Sequence, residues 1–586
     1  MELCEEIPWS VVIIIVIGTF MAILDSSIVN VALPKMMAVF GANTDTIAWV
    51  VTAYMLTLGV VMPLSGFLGD TFGYKRCYFM ALALFVTGSF LCGFAWSMDS
   101  LIAARVIQAV GGGILTPLGM AIIYKTCPRA RIGEILGVWG ISAMAAPAIG
   151  PTLGGYIVQY VDWRMIFYLN VPIGLINLFL VYTNLGESEL IKGKHFDLTG
   201  TIFSSIGFFC LLLATSEAST DGWGSPFIVS LFVIAVISLT AFIINEIGHP
   251  EPILQLRLFR NMVFTIANVL ASILAIGMFG VTFLMPIMIQ EVLGQTALKC
   301  GLIMFPGAIA SGLIMPFSGW FFDRYGARGI VVTGTAIIAV TTFMMHAFND
   351  LTPFSYMTMV IMIRGLGLGL CMMPTTNAGM NAVPPHLVGR ASATINQVRQ
   401  VSASFGIAIL TTIMQNRQVF HVTHLAEAVN MSTSTTGLAM QGRLIGLAYQ
   451  LGMPASMSSA LGVGLVYIRM EYLSMIQAID DVFIVAAGMC VLGFMMSFFL
   501  MDVRKRHPAG ISPSGGGGRL HRPPHSRAQH RGDQELQAAQ GIFLRSADPG
   551  VQHHGAGRRR AEELPLTPAI GWVHILFDTI DRLFYN

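Results

Sequence analysis

Two charged residues stand inside apolar stretches long enough to cross a membrane, and Asp25 is the first of them. It occurs in the sequence LDSSIVN, which ends at Asn30. A charge at the centre of a membrane span costs about 2.5–3.5 kcal/mol on insertion scales, so we expect Asp25 to face a cavity or a partner. Burial favours the neutral acid. Such a carboxyl can exchange a proton for a cationic or polar cargo, and the alternative is an interfacial aspartate that stays hydrated.

Arg105 is the second charged residue of this kind, and it opens the sequence RVIQAVGGG. Arginine keeps its proton in proteins, so this side chain needs carbonyls, a carboxylate or water as partners. Gln108 lies one turn away on the same helix face. The pair is suited to tuning a neighbouring acid or to a proton relay, and the alternative is a structural arginine that ties helix ends together. The candidates for proton coupling and for a substrate cavity are therefore Asp25, Asn30, Arg105 and Gln108.

The apolar stretch from residue 137 to residue 155 contains glycines and prolines at a spacing that favours a bent helix. Gly150 and Gly154 lie four residues apart, so they share one face and let a neighbouring backbone approach closely. Pro151 removes a backbone donor and weakens the helix at that point. These features predict a helix that bends and slides against a neighbour, whereas the plainer interpretation is a packing face alone. The candidate residues of this stretch are Gly137, Ala146, Gly150, Pro151, Gly154 and Gly155.

A loop pattern G-x3-D-x2-G followed by cations occurs twice in the chain. Each aspartate of the pattern can accept hydrogen bonds from a helix N-terminus or pair with cations of the other half. We predict that the two loops form a cytoplasmic gate that closes in one conformation and opens in another. The alternative is that the cations only anchor the loops at the cytoplasmic face. The candidate gating residues are Gly66, Asp70, Gly73, Lys75, Arg76, Gly319, Asp323, Arg324, Gly326 and Arg328.

Composition indicates a protein that crosses a bilayer many times. Of the 586 residues, 55% are hydrophobic and 11% are charged, whereas soluble domains carry about 25% charged residues. The net charge of +2 gives no sign of nucleic-acid binding. The eight cysteines are isolated, which favours buried thiols over disulfides or metal sites. No phosphate-binding GxxxxGK[ST] pattern occurs, so we expect no nucleotide-driven pump. We also expect no metal site, since no metal-ligand spacing of cysteines appears, and no cofactor.

Hydropathy predicts an all-α polytopic fold of fourteen spans, since each span needs about 20 apolar residues. The spans begin near residues 10, 46, 77, 100, 134, 165, 197, 227, 264, 299, 329, 355, 397 and 480. Lysines and arginines concentrate in the even-numbered loops, which predicts that both termini lie in the cytoplasm. We expect the protein in the inner (plasma) membrane of the cell. The acidic N-terminus lacks the basic region of a signal peptide, so the first span is predicted to remain uncleaved.

The chain also repeats itself. Arg105 matches Arg364, and the position of Asp25 corresponds to Gly277, at offsets of 259 and 252 residues. Spans one to six and nine to fourteen are therefore parallel halves, the plan of the major facilitator fold, with two helices inserted between them. We predict an N-terminal half at 8–186, a linker with two inserted helices at 187–260, a C-terminal half at 261–503 with a long external loop at about 416–479, and a disordered cytoplasmic tail at 504–586.

Two further arginines, Arg364 and Arg399, lie near the ends of predicted spans. Long basic side chains at such positions usually extend to the membrane interface. We therefore expect an interfacial position for both of them.

The tail after His507 changes to a composition rich in Gly, Pro, His and Arg, without periodicity. Such segments do not bury enough apolar surface to fold. Our hypothesis is that it is an out-of-frame or otherwise artefactual extension, and the alternative is an ordinary cytoplasmic tail. Deletion of residues 508–586 tests this, because loss of transport in correctly inserted protein would contradict the hypothesis.

Together these motifs resemble the major facilitator superfamily, and specifically its fourteen-helix drug:proton antiporter branch (the EmrB/QacA type). The sequence LDSSIVN resembles the branch's span-one motif, and the sequence that begins at Arg105 resembles its span-four motif. The stretch 137–155 resembles its antiporter motif, except that Ala146 replaces a glycine. The likeness covers about residues 8–503.

The resemblance implies a secondary active transporter that exports amphipathic drugs or toxic compounds in exchange for protons by alternating access. It implies the proton gradient as the energy source and the lipid bilayer, small amphipathic substrates and protons as partners. In a Gram-negative cell it also implies a periplasmic adaptor protein and an outer-membrane channel.

Two other functions remain open at this point. One is a dedicated proton-coupled exporter of a single metabolite, antibiotic or siderophore, which a substrate screen would distinguish. The other is a membrane-embedded enzyme or lipid-handling protein. That function needs a nucleophile–base pair or a metal cluster at membrane depth, and the predicted spans contain neither, so we expect no enzyme.

Overall fold

The structure is a computed structural model that describes residues 7–187, 197–349, 351–428 and 455–500. Over these residues the chain folds into helices joined by short connections, and the described part contains no strand. The predicted tail from residue 504 lies outside the described residues, as does the centre of the predicted external loop, residues 429–454.

Sixteen α-helices follow one another along the described ranges of the chain. They are α1 (Trp9–Phe40), α2 (Thr44–Val61), α3 (Leu64–Phe72), α4 (Tyr74–Gly93), α5 (Met98–Thr126), α6 (Ile132–Tyr160), α7 (Met165–Tyr168), α8 (Asn170–Asn184), α9 (Leu198–Asp221), α10 (Pro226–Gly248), α11 (Met262–Pro286), α12 (Ala297–Tyr325), α13 (Arg328–Met344), α14 (Phe354–Asn381), α15 (Val388–Ala428) and α16 (Ala455–Ser497). A π-helical turn, Ile287–Val292, continues α11.

Twelve of the described helical segments are long and apolar enough to cross a membrane. The pair α2 and α3, which bends by 55° at its break, would make a thirteenth span. The thirteenth predicted span, from about residue 397, falls on α15, whose many polar side chains keep it below the hydropathy of the others. The structure therefore supports the all-helical fold, with twelve or thirteen apolar spans in place of the fourteen predicted.

Local sequence explains where several of these helices begin and end. At the start of α5, Ser97 and Ser100 form a reciprocal capping box, which satisfies backbone donors that a helix start leaves unpaired. The two repeated loops each turn at a glycine in the left-handed region, Gly73 with φ 93° and Gly326 with φ 94°. A residue with a Cβ is strained in that conformation, which is a physical reason for the glycine at the end of both patterns.

The N-terminal half, α1–α8, and the C-terminal half, α11–α16, meet along α6 and α12. A Cβ added to Gly137 of α6 would lie 2.6 Å from the carbonyl oxygen of Met315 in α12, and the start of α6 approaches Gly319 equally closely. At its other end α6 packs against α1, where Gly150 faces Ser27. The helix therefore contacts both halves through residues that have little or no side chain.

The inserted pair α9–α10 also bridges the halves. Leu212 of α9 packs directly on Gly59 of α2. On its other side, Thr215 shares a hydrogen bond of 2.8 Å with Ser404 of α15. The indole Nε1 of Trp223, just beyond α9, donates to Thr412 of α15 at 2.8 Å. The insertion is therefore part of the packed helical bundle.

The helices α15 and α16 occupy part of the segment at about 416–479 that was predicted as a long external loop. The helix α15 continues to Ala428, and α16 already begins at Ala455. Arg417 and His421, on the extended part of α15, both contact Asp481 of α16. Residues 416–428 and 455–479 of the predicted loop are therefore helical.

Candidate proton-coupling site

Asp25 lies at the centre of a buried polar cluster in the N-terminal half. Its side chain is 0% exposed. Its Oδ2 accepts a hydrogen bond from Nη1 of Arg105 at 2.5 Å, and the two side chains form an ion pair. Its Oδ1 accepts from Nε2 of Gln108 at 2.8 Å and from Nδ2 of Asn170 at 2.9 Å. Ser89 completes the cluster by accepting from Gln108 and Asn170. We call these five residues the Asp25 cluster.

The Arg105 side chain is 1% exposed and contacts both polar and aromatic groups. Its Nε donates to the Val50 carbonyl of α2 at 3.2 Å, and its Nη1 also donates to Oε1 of Gln108 at 2.7 Å. The ring of Tyr54 lies 4.0 Å from the guanidinium carbon, a cation–π contact that strengthens away from water. A buried charge needs this degree of pairing, since an isolated one is strongly disfavoured.

Small residues let the helices of the cluster approach one another. A Cβ on Gly88 of α4 would lie 2.5 Å from the Gln108 backbone of α5, and one on Gly111 would meet the backbone of Phe85 at 2.5 Å. The two helices therefore pack backbone to backbone. This close approach brings Ser89 of α4 within 2.5 Å of the Gln108 amide.

The structure brings together three of the four residues predicted for this site. Asp25, Arg105 and Gln108 are in direct contact, whereas Asn30 is exposed farther along α1. Sequence reasoning did not assign Asn170 or Ser89 to the site. Polar residues inside apolar spans were the available signal, but nothing in the sequence alone says which spans are neighbours.

The C-terminal half contains the same arrangement without the acid. Arg364, the repeat counterpart of Arg105, donates from Nη2 to the carbonyl oxygen of Gly277 at 2.8 Å and from Nε to Thr342 at 3.3 Å. Gly277 is the position that the repeat assigns to Asp25. Arg364 is 5% exposed, within α14. The expected interfacial position of this arginine was therefore wrong, because α14 begins at Phe354 and places it well inside the helix.

The glycine–proline stretch lies within α6 and divides its contacts between two helices. Gly137 approaches Met315 and Pro316 of α12. Ala146 is buried, and the Pro147 carbonyl accepts from Ser27 of α1 at 3.2 Å.

The C-terminal part of the stretch is set against α1. Gly150 and Gly154 face Ser27 and Ile28, respectively. Gly155 has open space around it. Pro151 lies within α6, and the helix continues through it. Gly150 and Gly154 therefore lie against α1, which also carries Asp25.

The first repeated aspartate, Asp70, joins the halves at one end of the bundle. Its Oδ1 accepts from the Tyr74 hydroxyl at 2.7 Å and from Nζ of Lys125 at 3.3 Å. Its Oδ2 lies 3.9 Å from Nε of Arg390, in the C-terminal half. Arg390 also donates to Glu251, in the connection after α10, at 2.8 Å. The carboxylates of Asp70 and Glu251 therefore both contact the guanidinium of Arg390.

The second repeated aspartate, Asp323, reaches across in the opposite direction. Its Oδ1 and Oδ2 accept from the backbone N–H groups of Gly133 and Glu134, both at 3.2 Å. These groups belong to the first turn of α6, where N–H groups lack helical partners and the helix dipole favours negative charge. Asp323 therefore caps a helix of the other half. We call the end of the bundle that carries Asp70 and Asp323 the aspartate end.

The remaining candidate gating residues lie around these two contacts. Gly66 and Gly319 permit close approach to Gly389 and Gly133, respectively. Lys75 donates to the Tyr182 carbonyl, Arg76 pairs with Glu187, Arg324 lies over the ring of Trp320, and Arg328 begins α13.

Replacement of Asp323 by alanine should loosen the start of α6. Loss of a side-chain acceptor at a helix start costs about 0.5–2 kcal/mol. We therefore expect the amides of Gly133 and Glu134 to exchange with deuterium about 2- to 30-fold faster, measured by mass spectrometry of the peptide that covers them. Asp221→Ala, at an exposed helix end elsewhere, is the control. Equal exchange in both variants would contradict the capping role.

No group of three or more His, Cys, Asp and Glu side chains in the described ranges is arranged to hold a metal ion.

Known proteins provide an independent comparison. A family model described as Major Facilitator Superfamily matches residues 15–407. The uncharacterized MFS-type transporter YhcA of Bacillus subtilis is 36% identical over 501 residues, which cover 85% of this chain and 94% of that protein. The multidrug export protein EmrB of Haemophilus influenzae is 32% identical over 419 residues, which cover 71% of this chain and 82% of that protein.

A solved structure extends the comparison to three dimensions. The proton:xylose symporter XylE superposes with a TM-score of 0.54 at 13% identity, over 84% of this chain and 96% of that chain. At this level of identity the likeness concerns the fold alone. The family match, the two relatives and the paired helical halves show that the chain belongs to the Major Facilitator Superfamily.

Proposed function

We propose that this protein exports amphipathic compounds in exchange for protons by alternating access. The observation that carries the proposal is the position of Asp25, a buried carboxylate held by Arg105 on the helix that packs against α6. A carboxylate is the group in this cluster that can take up and release a proton, because arginine does not titrate in proteins. Asp25, whose charge can change, therefore lies on a helix that packs against α6, and α6 contacts both halves.

The coupling we propose runs from Asp25 through α1 to α6. Protonation of Asp25 removes the negative charge that Arg105 faces, so the ion pair of 2.5 Å no longer holds α1 against α5. Ser27 lies two residues farther along α1 and contacts α6 at Gly150. A shift of α1 therefore moves α6, whose start is capped by Asp323 of the other half. The proton state of Asp25 thereby biases the contact between the halves.

We propose that the aspartate end faces the cytoplasm and that the structure represents the outward-facing arrangement. Polar contacts between the halves occur near this end, including Ser392 to the Pro117 carbonyl at 2.7 Å and Tyr124 to Asn377 at 3.0 Å. The proposal is supported by the lysines and arginines of the loops, which favour the cytoplasmic side. We further propose that the protein is a multi-pass protein of the plasma membrane with both termini in the cytoplasm.

The name of one relative, a multidrug export protein, supports a drug-like cargo for this chain. We extend that to amphipathic drugs or toxic compounds as a class. In a Gram-negative cell we propose a periplasmic adaptor and an outer-membrane channel as partners. A cargo screen separates this function from export of a single metabolite, because a dedicated exporter would respond to one compound of the panel.

Transport in proteoliposomes tests the proposal. The purified protein is reconstituted, a proton gradient is imposed, and the movement of fluorescent amphipathic compounds is followed together with lumenal pH. We expect cargo and protons to move in opposite directions, and a protonophore to stop both. Cargo movement that persists unchanged after the gradient is collapsed would contradict antiport.

A further inference from the structure

Arg399 of α15 is a cation at membrane depth, and no carboxylate in the described part of the chain pairs with it. Its Nη2 donates to Oδ1 of Asn396 at 2.5 Å. Within the described ranges of the chain, no Asp or Glu lies within ion-pair distance of it. Arg105 differs in this respect, since Asp25 balances its charge. A guanidinium has five N–H donors in a fork that fits a carboxylate, and the hydrogen bond to Asn396 uses one of them.

The depth of Arg399 follows from the start of its helix. The helix α15 begins at Val388, so Arg399 lies about 16 Å along it at the usual rise per residue. This distance is about half of the hydrocarbon thickness of a bilayer. The sequence-based expectation of an interfacial position was therefore wrong for this arginine too.

The face of α15 that carries Arg399 borders the N-terminal half. Ser392 lies seven residues earlier, hence two turns away on the same face, and it donates to the Pro117 carbonyl of α5. The adjacent Gln400 lies 3.8 Å from the Met55 sulfur of α2. Two turns beyond Arg399, Gly406 packs on Ile276 of α11. Arg399 therefore lies at the level where this face of α15 stops contacting the N-terminal half and begins to contact α11.

The burial of α15 changes at this level. All residues from Ala391 to Gln397 are buried, whereas all residues from Val398 to Ser402 are half-buried. Arg399 therefore lies where the burial of α15 decreases, on the side away from the aspartate end.

Neighbouring polar groups are arranged around Arg399. Asn396 is 1% exposed, and its Nδ2 donates to the Ser392 carbonyl at 2.9 Å. This bond directs the amide oxygen toward Arg399. The helices α11 and α15 run in parallel, and the contact of Ile276 with Gly406 sets their register. At that register Asn268 is level with Val398, and its buried Oδ1 has no hydrogen-bond partner within the described residues.

We propose that Arg399, positioned by Asn396, binds the anionic group of the exported compound, so that this protein prefers amphipathic carboxylates over neutral and cationic analogues. The preference follows from the charge-assisted hydrogen bonds that a guanidinium makes to a carboxylate and does not make to an amide of the same shape. This inference rests on the proposed export function, whose cargo class it narrows.

Binding to the purified full chain tests the proposal with matched probes. A fluorescent alkyl carboxylate is compared with its own N-methyl amide, which has the same apolar body without the charge. We expect at least tenfold tighter binding of the carboxylate to the unmodified chain. Arg399→Gln should remove this preference and change the affinity for the amide by less than twofold, while Arg399→Lys should retain part of the preference. Retained amide binding also shows that the variant is folded.

Asn396→Asp provides a second variant that does not remove the arginine. The new carboxylate would pair with Arg399 in place of the cargo, so the preference should again be lost. Arg417→Gln, at the far end of α15, where the side chain is 40% exposed and paired with Asp481, is the control for net charge and should keep the preference.

Two results would overturn the proposal. They are equal affinity of the unmodified chain for the two probes, and a carboxylate preference that survives both Arg399→Gln and Asn396→Asp. Failure of the proposed export function has a different signature. In that case no probe moves under a proton gradient, although the difference in binding between the carboxylate and the amide persists.

Discussion

Asparagine at position 25 is expected to abolish export driven by a proton gradient. The Asp25→Asn amide keeps the size of the side chain and cannot take up or release a proton. The carboxylate it replaces is fully buried and accepts hydrogen bonds from three side chains. We expect no coupled proton movement in proteoliposomes when cargo is added, measured with a pH-sensitive dye in the lumen.

The same substitution should also destabilise the protein, because Arg105 loses its buried partner. Breaking a buried ion pair by removing one member costs about 3–5 kcal/mol. The double variant Asp25→Asn/Arg105→Gln removes both charges and should recover much of the thermal unfolding midpoint. It should still fail to couple protons to cargo. Recovery of stability without recovery of transport would separate the structural role of the pair from its role in coupling.

Asp99→Asn is the matched control for these variants. Asp99 is exposed in the first turn of α5, the helix that carries Arg105, and lies outside the Asp25 cluster. Its removal should leave both coupling and stability near those of the unmodified chain. Full proton-coupled export by Asp25→Asn would remove Asp25 from the mechanism.

Alanine at position 137 is expected to hold the two halves apart at the aspartate end. In the closed arrangement the new methyl group would lie 2.6 Å from both the Met315 carbonyl oxygen and the Pro316 Cα, which are backbone atoms of α12. Backbone cannot turn aside as a flexible side chain can. Overpacking of this kind costs about 1–3 kcal/mol, which shifts the balance between closed and open arrangements by roughly 5- to 150-fold.

Distances between spin labels at Arg129 and Tyr325 measure this effect, because both residues are exposed at the aspartate end. Gly137→Ala should lengthen the distance and reduce export. Gly155→Ala is the control in the same helix and the same motif, since a methyl group there meets open space. If the two alanine variants give the same distances, close packing at Gly137 does not limit closure.

The sequence predicts the helical fold and the principal pair of the site for a physical reason. A charge inside an apolar span is costly, so Asp25 and Arg105 stand out without any knowledge of structure. The internal repeat is equally informative, because it assigns Gly277 to the position of Asp25. In the structure the Gly277 carbonyl indeed accepts from Arg364 at 2.8 Å.

The rest of the site depends on which helices are neighbours, and periodicity does not encode that. Asn170 and Ser89 are uncharged, and a single uncharged polar residue in a span has many satisfactory partners. Tyr54 could be predicted as a buried aromatic residue, but its position 4.0 Å from Arg105 follows from the packing of α2 on α5. Asn30 shares a motif with Asp25, yet it lies on an exposed part of the helix.

The predicted position of Arg399 at the membrane interface was wrong for a different reason. Hydropathy detects the apolar part of a span, and the polar residues that follow Val388 delay that signal to about residue 397. The helix itself starts nine residues earlier. A span that packs against other helices can carry polar residues on the packed faces, because helices and not lipid contact those faces.

The position of α9 has a consequence for cargo that dissolves in lipid. Leu212 covers α2 at Gly59, and Thr215 is bonded to Ser404 of α15, so the inserted helix covers the groove where α2 and α15 meet. A hydrophobic molecule that diffuses laterally in the bilayer therefore meets α9 before it reaches this groove. The opposite groove, between α6 and α12, is closed by backbone contacts. On this arrangement we expect cargo to enter through an opening toward one of the two aqueous sides, and not directly from the lipid.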